Sequence, residues 1–104
     1  MNDGMKTELL WRIVAEIQMP KDDARDGYNH GFMNVVTWAT TSEQAVSKLK
    51  SYIQSFDWNL MSVDPVEQIT STDGFGDDLF EMVIRAEENK NAIILGTFHS
   101  YPTN

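Results

Sequence analysis

The sequence has 104 residues and no cysteine. A disulfide framework, a thiolate metal site and a cysteine nucleophile are thereby excluded. Basic residues are scarce: 8 Lys and Arg stand against 16 Asp and Glu, for a formal charge of −8. That balance argues against nucleic acid and anionic membranes as partners, because both would be repelled. No apolar run approaches the roughly 18 residues that a membrane span requires. The first residues, Met1 to Lys6, are polar and lack the basic and apolar segments of a secretory signal. A cytoplasmic location is therefore the expectation. No internal repeat, coiled-coil heptad, low-complexity tract or linker is visible.

What is present reads as one globular domain over residues 1–104. Apolar residues make up 41% and charged residues 23%, which sets the chain apart from disordered compositions. The length suffices for one core and not for two.

Residues 1–7 are polar and expected to fray. Leu9, Trp11, Ile13, Ala15, Ile17 and Met19 then alternate with Arg12, Glu16 and Gln18. That is the period of a half-buried strand, which Pro20 ends. Residues 20–31 carry Asp22, Asp23, Asp26, Gly27, Asn29 and Gly31 and read as a long loop. Residues 32–39 form a second strand with apolar groups on both faces, as an interior strand has. Thr41 and Gln44 match the reciprocal capping pair that opens a helix. Ala45, Leu49, Tyr52, Ile53 and Phe56 follow as its apolar stripe.

Residues 58–69 are extended, with Trp58, Leu60, Val63, Val66 and Ile69 as apolar content. Asp64-Pro65 interrupts them, as the turn of a hairpin, which is preferred, or as a bulge on an edge strand. A loop over 70–76 leads to a second helix opened by Asp77 and Asp78, where negative charge suits the helix dipole. Leu79, Met82, Val83 and Ala86 are its core stripe, which Phe80 and Ile84 widen. Residues 92–101 are expected to be one central strand, stopped by Pro102.

These elements predict an α+β fold: one sheet of four to five strands with two helices on one face. With a hairpin at Asp64-Pro65, residues 32–101 run β-α-β-β-α-β. The strand ending Trp38-Ala39, the capped helix and the re-entry at Trp58 and Leu60 resemble the first unit of the ferredoxin-like, split β-α-β superfamily. The resemblance implies an architecture with an added N-terminal strand and implies no activity. Helices on one face would leave the other open, and self-association as a homodimer through it is expected.

The chemistry is sparse. His30 and His99 are the only imidazoles. Each reads simply as a solvated or hydrogen-bonded side chain. Together with Tyr28 and Tyr101 they would supply the polar groups of a ligand pocket near the 20–31 loop and the end of the last strand. The spacing from Asp22 is a poor calcium loop: Ala24, His30 and Met33 occupy positions where oxygen ligands belong. Gly74-Phe75-Gly76 precedes a helix, but Asp73, Asp77 and Asp78 surround it and no Lys follows, so it is no phosphate loop. Neither a Gly-x-Ser-x-Gly elbow nor a distinguished pair of carboxylates is present. No catalytic residue, metal or cofactor is expected.

Asp73, Asp77, Asp78, Glu81, Glu87 and Glu88 form the densest acidic stretch, opposed by Arg85 and Lys90. As a solvated helix face they would aid solubility. As a surface they would dock on a basic protein, in the manner of an inhibitor or immunity-type protein that fills a nuclease's phosphate-binding cleft. The functional expectation is therefore a small acidic, non-catalytic interaction module. Alternatives are the ligand-binding or enzymatic module described above and a structural subunit.

Overall fold

The computed structural model describes residues 7–20 and 30–101. The expected frayed start, the interior of the 20–31 connection and Tyr28 lie outside the described residues. The elements are β1 (Leu9–Gln18), β2 (His30–Ala39), α1 (Ser42–Gln54), β3 (Asn59–Gln68), α2 (Asp77–Glu88), β4 (Ile93–Leu95) and β5 (His99–Tyr101). They form the expected α+β class: one antiparallel sheet of five strands and two helices.

β1 and β2 pair along their whole length, Leu9 opposite Ala39 and Gln18 opposite His30. The order across the sheet is β3-β1-β2-β4, with β5 also on β2. β2 begins two residues earlier than the apolar pattern suggested, so His30 and Gly31 are strand residues. They are paired on both sides: Gly31 lies opposite Ile17 of β1 and Ser100 of β5. A Cβ on Gly31 would stand 2.5 Å from the His99 carbonyl oxygen and 2.8 Å from Ser100 Cα. Only glycine lets the two backbones approach this closely.

β2 and β3 both run antiparallel to β1, hence parallel to each other, and α1 joins them. This is one split β-α-β unit with β1 inserted between its strands. At that coarse level the α+β arrangement is compatible with a ferredoxin-like fold. The strand after α2 departs from it: β4 runs antiparallel to β2 at the far edge of the sheet. α2 therefore carries the chain from one edge to the other.

It does so across the opposite face from α1. Ile13, Ala15, Ile17, Met33 and Val35 pack with Ala45, Leu49 and Ile53 of α1. Leu10, Val36 and Ile94 pack with Met82, Val83 and Ala86 of α2. Residues of opposite parity on one strand point to opposite faces. The two helices thus sandwich the sheet instead of sharing a face. The broad open face from which self-association was expected is covered over β2 and β4 by α2. What remains is a strip over β1 and β3 carrying Arg12, Val14, Glu16, Ser62 and Glu67, bordered by the 41% exposed Phe32; there Arg12 meets Glu67 at 3.5 Å and Ser62 donates to Glu16 at 2.9 Å.

β4 belongs to the sheet's edge, not its centre. Ile93 and Leu95 face the α1 side and Ile94 the α2 side, so a helix on each face accounts for apolar groups on both. Residues 96–98 break the expected single strand in two. There the amide of Gly96 donates to the Asn34 carbonyl at 2.8 Å.

No hairpin forms at Asp64-Pro65. β3 is one edge strand with a cis Asp64-Pro65 bond, and its register against β1 shifts twice, between Ile13 and Ala15 and between Glu16 and Ile17. Leu60, Val63 and Val66 recur every three residues, which a regular strand would spread over both faces. The two bulges each absorb a residue and return all three to the α1 side, opposite Ile17, Ala15 and Ile13. An edge strand tolerates Pro65 because its outer N–H positions need no partner.

The capping pair of α1 forms with a shift of one residue. Thr41 Oγ1 accepts from the Gln44 amide at 3.0 Å, while Gln44 Oε1 accepts from the amide of Thr40, not Thr41, at 2.7 Å. At the other end Asp57 takes a left-handed φ of 62°. The Trp58 amide then reaches back to the Ile53 carbonyl at 3.3 Å, a Schellman-type closure with aspartate where glycine is usual. Tyr52, Phe56 and Trp58 pack in series beside it, the first pair edge to face and the second tilted, with ring centroids 5.0 and 5.1 Å apart.

Candidate functional site

α2 is anchored from below. The Trp38 indole N–H donates to the Ala86 carbonyl at 2.9 Å, and Lys90 Nζ stands 4.7 Å above the same ring. Lys48 of α1 donates to the Trp38 carbonyl at 2.6 Å, so this one residue of β2 ties down both helices. With Met82, Val83 and Ala86 buried and Leu79 packed beside them, the register of α2 is set and its other positions are exposed.

Asp77, Asp78, Glu81, Glu87 and Glu88 all lie exposed on α2, and Asp73 is exposed in the loop before it. Asp77 and Asp78 occupy the first turn, where the helix dipole favours them. Among the described residues none of these carboxylates is held in an ion pair. Arg12, which lines a shallow groove with Asp77 and Asp78, is oriented elsewhere: its Nε donates to Asn34 Oδ1 at 3.1 Å and its Nη1 to Glu67 at 3.5 Å.

Beside α2, over β4 and β5, lies a cleft of about 410 Å³ lined by Asn34, Asp78, Glu81, Arg85 and His99, with Met82 and Leu95 beneath. Two groups of residues singled out separately in the sequence thus meet here, the acidic helix and one imidazole. His30 does not line this cleft. It opens β2 opposite Tyr101, with His99 opposite Phe32, so the three chosen positions sit at one corner of the sheet. Among the described residues no group of His, Asp and Glu stands close enough to hold a metal ion. The cleft offers charge of both signs, and Thr97 stands on its wall with His99.

Phe80 and Ile84 behave differently from expectation. They do not widen the core: they remain 46% and 40% exposed on the outward side of α2. The pattern that could have shown this is in the spacing. Asp77, Phe80, Glu81, Ile84 and Glu88 follow at i, i+3, i+4, i+7 and i+11, a second stripe opposite the core stripe of Leu79, Met82, Val83 and Ala86.

Among the described residues no helix is long and apolar enough to cross a membrane. Comparison with protein-family models, with curated proteins and with solved structures gave no match.

Proposed function

We propose that this chain is a non-catalytic interaction module that docks a basic protein partner on the outer face of α2. One observation carries the reading: a helix tightly fixed to the sheet presents Asp77, Asp78, Glu81, Glu87 and Glu88 to solvent, and among the described residues no cation is paired to them. Unpaired carboxylates on a rigid support raise the encounter rate with a cationic surface and repel polyanions. An inhibitor of a basic toxin or nuclease, working in the cytoplasm, is the form of module these features suit best. The ferredoxin-like likeness, kept to the split unit β2–α1–β3, adds nothing to this reading, because such architectures serve many functions. Self-association through an open face is set aside in favour of the α2 contact, since α2 covers that face over β4 and part of β2.

The cleft beside His99 supports a second reading, a small polar ligand held between Arg85 and the Asp78 and Glu81 carboxylates. Calorimetric titration with a strongly basic globular protein, of isoelectric point above about 9, tests the first reading. Binding is expected to weaken steeply between about 50 and about 300 mM NaCl. Amide shifts are expected to concentrate at residues 73–88. Absence of binding, or shifts spread evenly over all carboxylates, would count against it.

A further inference from the structure

The exposed pair on α2 says more about the partner than charge does. Isolated apolar side chains on a surface are ordinary. Phe80 and Ile84 are not isolated: they stand four residues apart on one helix face, each about half exposed at 46% and 40%. Asp77, Glu81, Glu87 and Glu88 lie three or four residues from one or other of them, so carboxylates border the pair along the helix. All four are exposed and none is ion-paired among the described residues. An apolar centre inside a charged rim is the layout of a binding hot spot, where the rim excludes water from the anchors.

We infer that Phe80, Ile84 and this ring of carboxylates dock an amphipathic basic segment of the partner. Its apolar side chains meet the pair, and its Lys and Arg residues meet the acids. The occupant follows from complementarity of both kinds. A simple polycation would satisfy the carboxylates and leave Phe80 and Ile84 wet. An apolar segment without charge would cover the pair and leave the carboxylates partly desolvated and unpaired. A helix with apolar residues at i and i+4 and lysines on its flanks satisfies both, as in recognition of one helix by another. The inference rests on the reading of α2 as a docking face and adds the partner's apolar anchors to it.

Two labelled synthetic peptides of about 14 residues, four helical turns, test it. One alternates Leu and Lys at helical spacing; the other replaces every Leu by Ser at the same charge. Fluorescence anisotropy with the full chain is expected to show the Leu-Lys peptide bound roughly tenfold more tightly or better. In F80A/I84A that preference should vanish while binding of the Ser-Lys peptide is unchanged. In D77N/E81Q/E87Q/E88Q both peptides should weaken. No preference in the wild type, or a preference that survives F80A/I84A, overturns the inference and leaves the acidic-face reading standing. Unchanged binding in the charge variant overturns the acidic-face reading itself. Amide shifts of the wild-type chain with the Leu-Lys peptide give an independent readout. Shifts centred on residues 77–88 support the site, and shifts centred elsewhere overturn it whatever the variants do.

Discussion

Val35 and Val36 are consecutive in β2 and both fully buried, yet Val35 packs in the core that α1 closes and Val36 in the core that α2 closes. The sheet is thus a partition with a separate apolar layer on each side. Its two middle strands, β1 and β2, supply residues to both layers.

Separate layers should respond separately to damage. Leu49→Ala in the α1 layer is expected to cost about 3 kcal/mol, and Val83→Ala in the α2 layer about 2 kcal/mol. Both side chains are buried, and the sheet lies between them. The double variant should equal the sum within about 0.5 kcal/mol, as for sites with no shared partners. Urea denaturation of the four proteins measures this. A coupling well above that figure would mean that the helices share a core.

Trp38→Phe removes the donor to the Ala86 carbonyl and weakens the surface under Lys90. A loss of about 1 to 2 kcal/mol is expected. Hydrogen exchange should quicken first in the last turn of α2. Uniform acceleration over both helices would show that the indole does not fasten that end in particular.

Asp57 holds a left-handed conformation, φ 62°, at the end of α1. Left-handed backbone costs an L-residue about 1 kcal/mol, and glycine avoids the cost. The greater freedom of glycine in the unfolded chain offsets part of the gain. Asp57→Gly is therefore expected to raise the melting temperature by a few degrees, on the order of 0.5 kcal/mol. A lowered melting temperature would show that the carboxylate makes a compensating contact.

Gly31 has no room for a side chain, since its Cβ would meet the His99 carbonyl oxygen at 2.5 Å. Gly31→Ala should push β5 off β2 and cost about 2 to 3 kcal/mol. Amides of residues 99–101 should lose protection while β4 keeps its own. The His99 side of the cleft should open with them. Retained protection of β5 would show that the strands can separate without unpairing.

Much of the fold was legible because it follows from local pattern. The alternation in residues 9–19, the Thr41 and Gln44 cap and the stripe of Ala45, Leu49 and Ile53 each encode an element by its period alone. The acidic face of α2 was legible for the same reason. Phe80 and Ile84 were misplaced because their side of the helix depends on which stripe the sheet selects. The Leu60, Val63 and Val66 spacing was ambiguous because a three-residue repeat acquires meaning only when bulges against β1 absorb the extra residues.

The sequence by itself determined the class of the protein, the identity of its helices and the sign of its surface, since these depend on residue type and on neighbours a few positions away. Only the tertiary structure decided that the helices lie on opposite faces, that residues 92–101 break into two edge strands and that His99 joins the acidic helix at one cleft. Those outcomes depend on strand order and on close approach between residues far apart in the chain, such as Gly31 and His99, and no local period records them.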